Sequence, residues 1–320
     1  MTLISIVVPT HNELPNIEPL WRRISAVFEK MAGYDFELIF SDDSDDATPQ
    51  RIVDLHHIDA RVKLVRLSRR FGQSVALSAG IERASGDAMI LMDADLQDPP
   101  EAIPQLIDLW KQGNEVVYVQ RPSGSTYGVY KLFAYWFYRM LKKMSAVEIP
   151  VDAGEFRLLD RKVVNFLKTL TEHTRYLRGL TVWPGFRQTS MRIERAPRLQ
   201  GATNYNFRRS FIVAIDGMLS FSTLPLRLAT LLGTVITLFS FLLATGYVIA
   251  RIFYPSIFGS GWASTFVSIF FLGGVQLIVL GIIGEYLGRI FIEVQNRPVY
   301  WVDWELGFKA AEKWERRHGT

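Results

Sequence analysis

The 320-residue chain has no cysteine, which excludes disulfides, thiolate metal sites and cysteine nucleophiles together. Histidine is scarce: of five, His56 and His57 read as surface helix residues, and His173 is a poor candidate for proton transfer. Excess charge is lacking too. A net charge of +4 gives no reason to expect nucleic acid as a partner. The start of the chain, Met1 to Pro9, has no basic leader region and is too short for an apolar leader core. Residues 4–8 instead read as a first strand, so the N-terminal part is expected in the cytoplasm. Charge is missing altogether from residues 228–250 and 263–284. The first of these runs, preceded by Pro225, would be about 34 Å long as a helix, enough for a bilayer core of about 30 Å.

What is present in the first half is alternation. Residues 4–8, 36–40, 62–67, 88–92 and 115–119 are short and rich in β-branched or aromatic residues. Residues 17–31, 49–57, 74–84 and 100–111 carry helical patterns. That order predicts an α/β fold with a mostly parallel sheet, helices on both faces, and ligands at the carboxyl ends of the strands. Three polar clusters fall there: His11-Asn12-Glu13, Asp42-Asp43 and Asp93-Ala94-Asp95. Two carboxylates one residue apart after a buried strand suit a hard divalent cation whose remaining ligands are phosphate oxygens. Taken alone, Asp42-Asp43 reads equally as a turn or helix cap before Thr48-Pro49.

The later part has a different character. Arg187, Arg192, Arg195, Arg198, Arg208 and Arg209 face a single acid, Glu194; the cluster suits anionic headgroups or a phosphate substrate, or forms a solvated basic face. Residues 205–224 interleave Phe207, Phe211, Ile215 and Phe221 with Arg208, Arg209 and Asp216, as in a helix lying in a membrane interface or one facing a core. Two apolar spans return the chain to its starting side. Arg227 and Arg289 against Arg251 in the intervening loop place both termini in the cytoplasm. Gly284 and Gly288 form a small-residue pair suited to close helix packing, hence an expected homo-oligomer. The domain division is therefore 1–204 for the catalytic part, 205–225 for interface helices, 226–290 for a transmembrane hairpin and 291–320 for a cytoplasmic tail.

Three segments in register, Val7-Val8-Pro9-Thr10-His11-Asn12-Glu13, Asp42 to Thr48, and Asp93-Ala94-Asp95-Leu96-Gln97-Asp98-Pro99-Pro100-Glu101, resemble the inverting GT-A glycosyltransferases of family 2. Asp152 to Arg161, Tyr176-Leu177-Arg178-Gly179-Leu180, Ser220 to Arg227 and Gly284 to Arg289 resemble its membrane-anchored branch. That branch comprises the polyisoprenyl-phosphate glycosyltransferases, including bactoprenol glucosyltransferases, and is similar to dolichyl-phosphate mannose synthase. The resemblance covers nearly the whole chain. It implies a GT-A (Rossmann-like) domain, amphipathic interface helices and two transmembrane helices at the bacterial inner membrane.

It also implies that Pro9, Asn12, Glu13 and Asp42 contact the nucleoside, with Asp43 and Asp93 completing the nucleotide site. A divalent cation, Mg2+ or Mn2+, is expected on Asp95, with Asp93 and Gln97 nearby. Arg121, Lys131 and Arg198 are the expected binders of the acceptor phosphate, and Glu155 is expected to orient the sugar or the attacking phosphate. Asp95, Asp93, Arg121 and Glu155 form the expected catalytic set. UDP-glucose and undecaprenyl phosphate are the implied substrates, with GDP-mannose as an alternative donor. A membrane scaffold retaining a decayed transferase domain is the non-enzymatic alternative; a processive polysaccharide synthase would carry a Gln-x-x-Arg-Trp motif, absent here. The chain departs from the family pattern at four places. The Asp42–Thr48 loop is short and lacks its glycine, Arg70 stands in place of Asn, Glu155 in place of Asp, and Asn204 in place of Lys.

Overall fold

The computed structural model describes residues 1–120, 153–173, 177–193, 224–253 and 261–308. They divide into two compact units: one holds the described residues up to Ile193 together with those from Pro298 onward, the other those from Leu224 to Arg297.

In the first unit the expected alternation is realised as β1 (Thr2–Thr10), α1 (Leu14–Phe28), β2 (Tyr34–Asp42), α2 (Thr48–Ile58), β3 (Val62–Leu67), α3 (Gln73–Arg83), β4 (Ala88–Leu91), α4 (Ile103–Lys111) and β5 (Val116–Gln120). Pro15, Pro49 and Pro104 each sit in the first turn of a helix, where the missing N–H costs nothing and the fixed φ is already helical. The chain continues through β6 (Ala153–Asp160), α5 (Arg161–Thr169), the one-turn α6 (Leu177–Leu180) and β7 (Gln188–Arg192). In the second unit α7 (Leu224–Phe253) and α8 (Trp262–Gln295) follow, and β8 (Val302–Leu306) rejoins the first.

The eight strands form one sheet in the order β7-β5-β6-β4-β1-β2-β3-β8. The β4-β1-β2-β3 centre is parallel. β1, β2 and β4 are buried on both faces along most of their length, which accounts for long apolar stretches with few polar positions. Ile4, Ile6, Val8, Phe36, Leu38 and Phe40 meet Ile17, Leu20, Ile24 and Phe28 of α1 and Ile52 and Leu55 of α2 in one cluster. Each such side chain contributes about 1.5–3 kcal/mol.

On the other face α3 lies close against β1. A Cβ at Gly80 would overlap Val7 Cγ1. Gly80→Ala should therefore cost about 1–3 kcal/mol by overpacking, read as a lowered thermal unfolding midpoint; an unchanged midpoint would show that the helix shifts freely.

Among the described strands four of the seven pairings are parallel, as expected, and two strands run against the rest. β6 runs antiparallel between β4 and β5, and β8 runs antiparallel along β3. Neither these strands nor β7 stood out in the sequence, because each is poor in β-branched residues. In β6 the charge is accommodated by partners: buried Arg157 donates to Gly154 O at 2.8 Å and to Thr181 Oγ1 at 3.3 Å.

Residues 302–306, taken from the sequence as part of a tail, are an edge strand held by more than its ladder. Arg83 at the end of α3 donates to Glu305 and, at 3.0 Å, to the Tyr300 hydroxyl, which donates to Glu82 Oε2 at 2.6 Å. Burial first, and then the Glu82 carboxylate, push the Tyr300 hydroxyl far above its ordinary value. It therefore remains a donor at any physiological pH.

In the second unit α7 and α8 contain two spans long and apolar enough to cross a membrane, Leu226–Leu243 with mean hydropathy 1.9 and Val267–Gln295 with 2.3. Leu231, Phe239, Leu242, Leu277 and Phe291 are among their exposed apolar side chains. Arg289 pairs with Glu285 one turn earlier, at 3.3 Å. Among the described residues, no atom beyond the adjoining backbone of the same helix lies within 4 Å of a Cβ placed at Gly284 or Gly288.

Candidate active site

A cleft of about 250 Å3 opens at the carboxyl ends of β1, β2, β3 and β4, where ligands sit in open α/β sheets. Pro9, Thr10, His11 and Glu13 line it from the end of β1, Asp43 from β2, and Arg70, Gly72 and Gln73 from the turn into α3. Asp93, Ala94 and Asp95 line it from β4.

Side chains from one loop hold the next. Thr10 Oγ1 donates to Asp42 Oδ1 at 2.8 Å, and the backbone N–H of Asn12 donates to Ser44 Oγ at 2.8 Å. Asn12 Oδ1 accepts from Asp45 N at 2.9 Å. This exchange supports the left-handed φ of 58° at Asn12, which asparagine tolerates better than most residues. His11 Nδ1 lies 3.0 Å from Asp43 Oδ1. The other Asp43 oxygen accepts from Phe71 N at 2.9 Å and Gly72 N at 3.0 Å. Gly72, at φ 93°, makes a turn that any other residue would strain. Gln73 Nε2 then donates to Asp93 Oδ1 at 2.7 Å, tying the start of α3 to the acidic motif.

Asp95 is set by its own turn. Its Oδ1 accepts from Gln97 N at 3.1 Å across Leu96, which is buried with φ 59°. A left-handed leucine costs on the order of 1–2 kcal/mol, strain of the kind that persists where a functional group must be aimed.

Of the residues expected from the sequence, Pro9, Glu13, Asp43, Asp93 and Asp95 come together in this cleft. Asp42 does not line it. It is fully buried, and its carboxylate accepts from Thr10, from Ser44 N and Oγ, and from Arg66. It is the post on which the β1 and β2 loops hang. Gln97 is likewise buried outside the lining and serves Asp95 through its backbone. Asn12 joins the two loops. Glu155, on β6, is engaged by Arg178 Nε at 2.8 Å and lies 3.7 Å from Arg157 Nη2. Arg121, Lys131, Arg198 and Asn204 lie outside the described residues. The structure adds Thr10, Arg70, Gly72 and Gln73 to the lining; of these, only Arg70 stood out in the sequence, as a departure from the family pattern and not as a site residue.

The described lining is rich in carboxylate, with Glu13, Asp43, Asp93 and Asp95 against Arg70 and His11. No group of three or more Asp, Glu, His or Cys able to hold a metal ion occurs among the described residues. Asp93 and Asp95 are all-oxygen donors, and so fit a hard divalent cation that takes its other ligands from phosphate and water.

A parallel-centred α/β sheet with an Asp-Ala-Asp turn over a cleft at the carboxyl ends of its strands defines a GT-A-like transferase domain. Residues 5–167 match the family described as glycosyl transferase family 2, and the chain belongs to that family; it is a glycosyltransferase. It is 44% identical over 315 residues to an uncharacterized glycosyltransferase of Synechocystis sp., covering 97% of this chain and 98% of that one. It is 41% identical over 302 residues to the SfII prophage-derived bactoprenol glucosyl transferase of Shigella flexneri, covering 93% and 96%. Among solved structures, glucosyl-3-phosphoglycerate synthase from Mycobacterium tuberculosis aligns over 68% of this chain and 79% of that one, with 20% identity and a TM-score of 0.45.

Proposed function

We propose that the protein transfers a hexose, glucose from UDP-glucose, to a polyisoprenyl phosphate of the undecaprenyl type at the cytoplasmic face of the inner membrane. The observation that carries this reading is the meeting of Asp93 and Asp95 with Pro9, Glu13 and Asp43 in one cleft. The bactoprenol glucosyl transferase name of a relative matched along nearly its whole length supports it. The apolar spans of α7 and α8 support an acceptor held in lipid, and Arg227 and Arg289 support cytoplasmic termini. Gly284 and Gly288, open on the described chain, support packing against a second copy.

In this reading Pro9, Glu13 and Asp43 receive the nucleoside, with acceptors for base N–H and ribose hydroxyls. Asp93 and Asp95 would hold Mg2+ or Mn2+, which when bound offsets the charge that builds on the diphosphate. An acceptor phosphate oxygen forms the bond to C1 as the C1–O bond to the diphosphate breaks. The bonding pair leaves with the nucleoside diphosphate, and an α-linked donor gives a β-linked product. The acceptor is largely a dianion at neutral pH, so it needs placement and neutralisation rather than a general base. Glu155, steadied by Arg178, belongs to the acceptor side, as do Arg121, Lys131 and Arg198.

The test is membranes containing the full chain, incubated with labelled UDP-glucose, GDP-mannose and other nucleotide sugars and with undecaprenyl phosphate. Labelled glucosyl lipid from UDP-glucose is expected. Label from GDP-mannose alone would move the donor assignment, and no labelled lipid from any donor would favour a scaffold.

A further inference from the structure

We infer that Arg70 binds the diphosphate of the sugar donor. The inference rests on the cleft being the donor site, as proposed above. Arg70 lies in the short loop between β3 and α3, and that loop is pinned at both ends. Ser68 N donates to Trp301 O at 3.0 Å, while Phe71 N and Gly72 N donate to Asp43 Oδ2. The two adjacent arginines then part company. Arg69 stacks over the Phe71 ring, 4.1 Å from its centroid, and donates to Arg70 O at 3.3 Å. Arg70 instead lines the cleft, and among the described residues its guanidinium has no hydrogen-bond or ion-pair partner.

That isolation is informative because carboxylates are near at hand. Asp43 is engaged by His11, Phe71 N and Gly72 N, Asp93 by Gln73, and Glu13 by Asn16 Nδ2 at 2.6 Å. An exposed guanidinium held in such a cleft is a donor fork awaiting an anion, and its planar N–H pairs match phosphate oxygens. Within the described lining, Arg70 is the one permanent positive charge. The carboxylates and Thr10 suit hydroxyls, base N–H groups and a cation; none of these carboxylates suits the negative diphosphate directly. The diphosphate gains charge as the bond to C1 breaks, so this contact strengthens toward the transition state.

The full chain in lipid nanodiscs, titrated calorimetrically with UDP and GDP and with their nucleosides in the presence of Mg2+, tests the assignment. Arg70→Ala should weaken binding of the diphosphate that the wild type prefers by about 10- to 100-fold and leave nucleoside binding within about 2-fold. Arg70→Lys should recover part of the loss. Equal weakening of nucleoside and nucleoside diphosphate would make Arg70 a support of the loop and overturn the inference. Unchanged diphosphate affinity with a raised KM for the lipid phosphate would give the guanidinium to the acceptor and overturn it as well. Failure of the wild type to bind either nucleoside diphosphate would strike the donor-site reading itself, and the inference with it.

Discussion

Asp95→Asn should lower sugar transfer by about 10²- to 10³-fold while leaving the thermal midpoint nearly unchanged. Asparagine keeps a side-chain oxygen to accept the Gln97 N–H, so the Leu96 turn survives and the charge alone is removed. Loss of stimulation by Mg2+ or Mn2+ in nucleoside diphosphate release should accompany the fall in rate. Asp95→Ala removes both charge and turn acceptor, and should add a small stability loss of about 1 kcal/mol. A wild-type rate in Asp95→Asn, with undiminished response to metal, would remove the cation from this motif.

Asp42→Ala should be the most destabilising of the single changes, at about 3–5 kcal/mol. Its carboxylate has no exposure and is ion-paired with Arg66, whose side chain is only 19% exposed. Deletion leaves that guanidinium poorly solvated, and Thr10 Oγ1 and Ser44 Oγ lose an acceptor. Because the same carboxylate joins the β1 and β2 loops, activity should fall with stability. Asp42→Asn keeps an oxygen for Thr10 and Ser44 and should lose less. Thermal unfolding of detergent-solubilised protein reads the difference. An Asp42→Ala midpoint equal to the wild type, with only nucleotide affinity reduced, would return Asp42 to direct contact with the nucleoside.

The contrast between Asp42 and Asp43 shows what the sequence could and could not disclose. Their chemical type and position after a strand were legible, since a charged pair following an apolar run marks the carboxyl edge of a sheet. Which carboxylate faces the cleft was not. Adjacent residues at a strand end point to opposite sides, and the choice depends on Arg66 arriving from the neighbouring strand. Gln97 follows the same rule: its place beside the acidic motif was readable, but its burial depends on the left-handed turn at Leu96.

At the level of the fold, the five strands rich in β-branched or aromatic residues and their four intervening helices were legible from composition, period and length. β6, β7 and β8 were not, because segments such as Val302–Leu306, with Asp303 and Glu305 alternating with larger apolar residues, become strands only through the edge they meet. Tertiary pairing, not local preference, decides them.

That last strand carries a consequence for how the domain is made. In N-to-C synthesis β3 is finished by Leu67, yet its neighbour β8 is added only after both long apolar helices have been translated. Until then the Val62–Leu67 strand presents an unsatisfied row of peptide groups, an invitation to stray pairing. A recombinant fragment ending at residue 204 would keep that raw margin permanently. Grafting residues 298–308 back beyond a linker is the direct way to give such a fragment a finished border.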